Sequence, residues 1–434
     1  MSDATKTDSP NENFAILVIF VTCLLVRALF ILISGYDSFE LASDTLRYDR
    51  QSNQILNGNY NLSEPLFITA PLYPYFVALF KLIFSSYWIP ALQLAQLLIA
   101  SLSGVFVFKI AKLIWDRFDV ALMAGMIFCV YPFTFWWVHT FTQEMLFQSL
   151  FIVSVYFLIR AAFDLQLKDA VLFAVTFSLT FLTKSHIFIF APFAAAFIIF
   201  SRPEDLRRRI VLVGVIAIIC FAFTLPYGLY NLQVNGVYVF SSTGQGGFFL
   251  TGHNDDMYRA VVDPPPIGTP DADRLFSLDY VIFRDLAQQT NGLSHAEVQS
   301  LYFSEGLRWV RENPRKAATL AAYDLYYFLM PGLNPNWYSR SQWAASLIIT
   351  APLYLLAYVC MFWMLRRDFR RHFWILGLFI SMILFSVLFY VQNRFRTITI
   401  EPFYIIYAAY PILFLLRVLL RRLHLEDRVR EISG

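Results

Sequence analysis

Charge is scarce in this chain. Of 434 residues only 15% are Asp, Glu, Lys or Arg, while 58% are hydrophobic and 18% aromatic; the mean hydropathy is +0.55. A soluble domain carries about 25% charged residues, so too few remain here to cover a water-facing surface. That excludes an ordinary aqueous enzyme, a nucleic-acid binder, whose affinity rests on dense Lys and Arg, and a disordered scaffold. The 34 basic and 31 acidic residues leave a formal charge of +3, which favours no class of partner. Cysteine is scarce too: Cys23, Cys129, Cys220 and Cys360 all fall inside long apolar runs. Their placement predicts buried free thiols rather than a disulfide framework. No His, Cys, Asp or Glu spacing resembles a dedicated metal site, so neither a metal nor a cofactor is expected, although a divalent ion bridging Asp44 and a phosphate stays open.

Apolar runs fill the space that charge leaves. A bilayer-crossing helix needs about 20 mostly apolar residues, and 14–34, 89–113, 119–137, 143–163, 209–226, 343–365, 373–391 and 402–420 qualify. The stretch 170–200 is apolar except for Thr183-Lys184-Ser185-His186, and reads as two short helices hinged there. The segments 71–84 and 317–332 are short and bordered or broken by Pro, Lys or Asp. The positive-inside rule arbitrates. With neither segment spanning, the basic clusters Lys109/Lys112/Arg117, Arg202/Arg207/Arg208/Arg209, Arg366/Arg367/Arg370/Arg371 and Arg417/Arg421/Arg422/Arg428/Arg430 share one side with both termini. This predicts an all-α integral membrane bundle of about ten spans, with 71–84 and 317–332 as juxtamembrane helices at the outer face. The acid-rich leader and the lack of a small-residue cleavage site argue against a cleaved signal.

Three regions follow: a membrane module over 1–226 with a first outer loop at 35–88, a large outer segment over 227–342, and C-terminal helices with a basic tail over 343–434. The large outer segment holds Pro264-Pro265-Pro266, a loop tract, and a helical stretch from Ser294 to Glu312. No inverted repeat of the kind common in secondary transporters is evident.

The charges that do occur near the membrane are therefore informative, because each costs roughly 2.5–3.5 kcal/mol at a helix centre. Asp37, Glu40, Asp44 and Asp49 cluster just outside the first span. Glu144 opens a span, Lys184 sits in the polar tetrad, and Arg394 and Arg396 precede the last span; the three cations lie at the outer edge against the positive-inside bias. Carboxylates suit general-base work; arginine offers a fork and lysine a point charge for phosphate. The plainer alternatives are a solvated collar for the first acids, and pairing with Glu144, Asp44 or headgroups for the cations. Arg27 lies inside the first span, either snorkelling or facing a site. His139, beside Trp136 and Trp137, reads as part of an aromatic belt, and His186 as a packing histidine.

In order along the chain stand Asp44-Thr45-Leu46-Arg47-Tyr48, Gly58, Pro71-Leu72-Tyr73-Pro74, Thr142-Gln143-Glu144, Leu182-Thr183-Lys184, Leu229-Tyr230-Asn231, Ser242-Thr243-Gly244, Gly252-His253-Asn254 and Asn393-Arg394-Phe395-Arg396. This order resembles the GT-C glycosyltransferases that use polyprenyl-phosphate sugars, a superfamily that includes protein O-mannosyltransferases and bacterial aminoarabinose transferases acting on lipid A. Thr45 departs from the pattern, standing where a second acid is usual. The resemblance implies a GT-C-type bundle and an inverting transfer of a monosaccharide from a polyprenyl phosphate to an unidentified protein, lipid or glycan acceptor. It implies an outer-face site in the cytoplasmic membrane, with Asp44 as base assisted by Glu144. Lys184, Arg394 and Arg396 would hold phosphate, and Tyr48, Tyr73, His253 and Asn254 the sugar. The competing classes are a transporter or flippase, which requires charges lining a path through the bundle, and a non-catalytic membrane scaffold. Nucleic acid is not implied.

Overall fold

A computed structural model describes residues 10–34, 44–60, 69–202, 204–278 and 280–423, and every regular element among them is a helix. The chain runs α1 (Pro10–Ser34), α2 (Asp44–Leu56), α3 (Leu72–Phe84), α4 (Trp88–Trp115), α5 (Phe118–Val130), α6 (Pro132–Phe135), α7 (Glu144–Asp164), α8 (Leu167–Thr183), α9 (Ala191–Phe200) and α10 (Leu206–Asn235). Short helices follow in α11 (Gln245–Gly252), α12 (Asp255–Val262), α13 (Pro270–Phe276) and α14 (Val281–Leu286). Next come α15 (His295–Glu312), α16 (Pro314–Leu329), α17 (Arg340–Arg367), α18 (Phe369–Leu388), α19 (Asn393–Thr399) and α20 (Glu401–Arg422). An all-helical bundle is what a bilayer demands, because a helix satisfies its own backbone groups where no water can.

Among the described residues seven stretches are long and apolar enough to cross a membrane, or eight if the pair Phe118–Val130 and Pro132–His139, bent by 67°, counts as one. The ten spans expected from sequence are not reached. The difference lies mainly at 167–200, where α8 has 17 residues and is followed by the shorter apolar Ser185–Phe200. The hinge itself is where the sequence placed it: Lys184 is extended, and a 3₁₀ turn over Ser185–Phe190 leads into α9. α16 is not among the seven.

The apolar run 72–115 is 44 residues long but is not one rod. Tyr73 and Gln96 stand 23 residues apart, about 34 Å along a straight helix, yet the Tyr73 hydroxyl donates to Gln96 Oε1 at 2.9 Å. The chain therefore doubles back through Ser85–Tyr87, with Ser85 at φ 47°. α3 lies antiparallel to the start of α4, and the 19 residues from Gln96 to Trp115 span roughly 29 Å, one hydrocarbon thickness.

Burial separates central from peripheral helices. α7 buries 14 of its 21 residues and packs on α4, α8, α9 and α19. α20 buries Glu401 to Ala409 without a break. α1 instead buries a single stripe, Ala15, Ile19, Cys23 and Arg27 at intervals of four, and turns Leu25, Leu29 and Leu32 outward, as a lipid-facing helix should. At one end of the bundle the four basic clusters meet. Arg371 donates to the Leu113 carbonyl, Arg417 and Arg117 share Asp119, and Arg202 and Arg371 both lie over the Phe163 ring. The predicted helix from Ser294 forms as α15, its start fixed by a capping box between Ser294 and Glu297.

Candidate active site

Four segments far apart in sequence bring their charges together. α2 is amphipathic, burying Thr45, Tyr48, Gln51, Ser52 and Ile55. Tyr48 meets Tyr73 of α3 edge-on at 5.0 Å, and Lys81 of α3 reaches Asp49 at 2.6 Å. This docking leaves Asp44, the first residue of α2, facing inward. Glu144 is the first residue of α7 and 1% exposed, where a carboxylate complements the helix dipole. Lys184 enters from the break after α8, and Arg394 from the start of α19.

The resulting cluster is closed and nearly neutral. Arg47 Nη2 and Arg394 Nη1 each donate to one oxygen of Asp44, both at 2.8 Å. Lys184 Nζ donates to Glu144 Oε1 at 2.8 Å, and Arg394 Nη1 lies 3.6 Å from that same oxygen. Gln392 Oε1 accepts from Arg394 Nε at 2.6 Å. The Phe395 ring supports both cations, with Lys184 at 5.0 Å and Arg394 at 5.6 Å from its centre. Two carboxylates and three cations leave one positive charge. Burial pushes the Asp44 carboxyl upward, but the Arg394 and then the Arg47 charge outweigh it and hold the group at about 2. Burial works to deprotonate Arg394, and Glu144 and Asp44 more than reverse it, raising its pKa. Glu144 Oε2, Gln143 Oε1 and His186 Nε2 are buried without a hydrogen-bond partner. A ligand able to donate to the two oxygens is the expected complement.

All of these charged groups except Glu144, which lies behind Lys184, line a cavity of about 1110 Å³, at the upper limit for small-molecule sites. Asp44, Arg47, Gln143, Lys184 and Arg394 form its polar head. Its other walls are mostly apolar, with Phe173 and Phe177 of α8, Ala195 and Ile198 of α9, and Val213 and Ile216 of α10 interrupted by Ser178 and Thr224, and with Ser242, Thr243 and Gln245 also in the lining. From Lys184 back to Phe173 is 11 residues, so this groove runs roughly 16 Å along α8. Among the described residues no three His, Cys, Asp or Glu side chains are placed to hold a metal ion.

The sequence-predicted residues divide accordingly. Asp44, Glu144, Lys184 and Arg394 converge. Arg396 does not join them: it is 1% exposed and clamped by Glu401 Oε1 at 3.0 Å and by the carbonyls of Tyr327, Met330 and Gly332. Glu401 also accepts from the Tyr131 and Tyr354 hydroxyls. The second arginine of the motif thus ties the end of α16 to the start of α20, and it does not line the cavity that Arg394 enters. Tyr48 and Tyr73 are buried in the α2–α3 contact and do not reach the cavity. His253 and Asn254 sit instead against a separate cavity of about 230 Å³. There His253 pairs with the Phe249 carbonyl and stacks on its ring, and Asn254 caps α12 by accepting from Met257. His139 packs edge-on against Phe30 and Trp136, as in a belt, and His186 stacks on Phe147. Asp37 and Glu40 lie outside the described residues. Arg47 and Gln143, quoted in motifs but given no role, belong to the site. The signal for Arg47 was its i,i+3 spacing from Asp44.

Residues 68–227 match the family model described as dolichyl-phosphate-mannose-protein mannosyltransferase. No curated protein matches the chain. Among solved structures, ArnT from Cupriavidus metallidurans in the apo state is 16% identical, with a TM-score of 0.38, over 91% of this chain and 76% of that one. The same protein bound to undecaprenyl phosphate gives 16% identity and a TM-score of 0.39, over 91% and 77%. At that distance the structural likeness carries no weight for function; the family match covers the segment holding Glu144 and Lys184. The likeness to that mannosyltransferase family is one of this segment, residues 68–227.

Proposed function

We propose that the chain transfers a monosaccharide from a polyprenyl-phosphate donor to an acceptor hydroxyl at the outer face of the membrane. The observation that carries this reading is the joining, in one cavity, of a buried acid–cation cluster to a long apolar groove. The groove fits a prenyl chain, and the cluster's single positive charge fits the single negative charge of a sugar phosphodiester.

In the proposed reaction Asp44 takes the acceptor proton as the acceptor oxygen bonds to the anomeric carbon. The bond from that carbon to the phosphate oxygen breaks, and polyprenyl phosphate leaves as a dianion. Single displacement inverts the anomeric centre. Lys184, Arg394 and Arg47 neutralise the leaving phosphate, the electrostatic contribution that is commonly largest. Glu144 holds Lys184 through Oε1 and leaves Oε2 for a substrate hydroxyl. Without donor, every one of these cations is engaged by a carboxylate, and an Asp44 held at about 2 is a weak base. A phosphate that draws Arg394 away therefore strengthens the base that deprotonates the acceptor.

The meeting of the four basic clusters at one end supports a cytoplasmic location for that end, and on this reading Asp44 belongs to the outer side. Transport is less well supported, because Asp44, Arg47, Lys184 and Arg394 are the charged residues of the cavity lining and none continues along its other walls.

The test is mass spectrometry of polyprenyl-phosphate lipids from cells lacking the protein, complemented with wild type or Asp44→Asn. Accumulation of a polyprenyl-phosphate monosaccharide that only wild type clears is the expected result, and its mass identifies the sugar class. An unchanged lipid profile, or full complementation by Asp44→Asn, overturns the assignment.

A further inference from the structure

Two features of the first span have no part in sugar transfer. Arg27 is fully buried in α1 and does not line the large cavity. Its Nη1 reaches the Cys23 carbonyl of its own helix at 3.4 Å, and its guanidinium rests 5.2 Å from the centre of the Phe128 ring. Nε and Nη2 have no hydrogen-bond partner. A cation kept inside a span and away from lipid headgroups points to an anionic or polarisable partner.

Cys23 stands four residues before Arg27 on the same face of α1. Its Sγ lies 2.8 Å from the Sγ of Cys129 on α5, and both residues are fully buried. That separation exceeds a sulfur–sulfur bond by only about 0.8 Å. Glycines allow the approach. A Cβ on Gly104 of α4 would fall 2.5 Å from Cys23 Sγ, and one on Gly125 of α5 would fall 2.6 Å from Ile19 Cδ1. Small residues let spanning helices come this close.

We propose that Cys23 and Cys129 are a redox-active pair which hydrogen peroxide converts to an intramembrane disulfide, stapling α1 to α5, with Arg27 supporting the thiolate that reacts first. The Cys23 thiolate attacks one peroxide oxygen, and the O–O bond breaks. With the thiol's own proton returned to the departing hydroxide, the products are Cys23 sulfenic acid and one water. The Cys129 sulfur then attacks the sulfenic sulfur, the S–O bond breaks, and the thiol proton leaves with the hydroxyl as a second water. Two thiols are oxidised and one peroxide is reduced. The bond falls on the one buried stripe by which α1 holds to the bundle.

The full chain in lipid nanodiscs is treated with graded hydrogen peroxide, quenched, denatured, alkylated and analysed by mass spectrometry. The expected result is a loss of about 2 Da with a peptide cross-linked between Cys23 and Cys129, at peroxide concentrations that leave Cys220 and Cys360 alkylatable. Cys220 is the control, because it is less buried and lines the large cavity; accessibility alone makes it react first. Arg27→Gln should slow cross-linking about tenfold, and Arg27→Lys should restore it. In Cys129→Ser a sulfenic-acid trap should label Cys23, which keeps the test intact if the Arg27 variants do not fold. Oxidation of Cys220 ahead of the pair, or recovery of Cys23 and Cys129 as separately alkylated thiols, overturns the proposal. Wild-type kinetics in Arg27→Gln overturn the part assigned to Arg27.

Discussion

Two arginines one residue apart do different work. Arg394 bridges Asp44 and Glu144 within the cavity, and Arg396 is locked to Glu401 and three carbonyls. Arg394→Gln should therefore leave a folded protein whose turnover falls about 10²–10³-fold, the usual loss for one electrostatic donor at a reacting centre. Arg396→Gln should cost about 3–5 kcal/mol of stability, because it strands a buried carboxylate. Parallel turnover assays and thermal unfolding in detergent separate the two. The sequence made both visible as cations out of place at a membrane edge, and the fit of an arginine fork to phosphate, together with the resemblance, assigned both to it. What it did not display was Glu401, five residues further on at the head of an apolar helix and without a motif of its own. The same reasoning brought out Asp44, Glu144 and Lys184 correctly as neighbours, since a costly charge survives near lipid only where something answers it.

At the level of elements, helix positions were mostly legible and helix-to-helix approaches were not. Apolar runs marked the bundle and the polar tetrad marked the break at Lys184. The reversal between α3 and α4, and the shortness of α8, depend on pairings that composition does not encode. Gly252-His253-Asn254 shows the gap well. The sequence offered its two polar members as sugar contacts, yet the consequential residue is the glycine. A Cβ on Gly252 would fall 1.4 Å from the Phe389 carbonyl oxygen, five residues before Arg394. Gly252→Ala should push α11 off that segment, lower stability by about 1–3 kcal/mol as overpacking does, and weaken donor binding through displacement of Arg394. His253→Ala, confined to the smaller cavity, should leave donor binding unchanged. Titration of both variants with polyprenyl phosphate checks the pair.

Over the whole molecule, the polar head and the apolar groove divide affinity between them. Each methylene of the donor tail that enters the groove should contribute about 0.8 kcal/mol. Shortening the prenyl chain should then raise KM only gently while the chain still overfills the roughly 16 Å beside α8, and steeply once it no longer fills it. Competition assays with prenyl phosphates of graded length read this directly. A KM indifferent to tail length would show that the groove does not hold the chain.

The single positive charge of the cluster has a consequence for the rhythm of turnover. In the proposed reaction the donor arrives with one negative charge and brings the head to neutrality, whereas the spent carrier carries two and stays beside Arg47 and Arg394, which Asp44 releases when it takes the proton. Attraction is thus strongest after the chemistry is over. An enzyme built this way is slowed by the departure of its own product, and its output follows how quickly the membrane draws the empty carrier away.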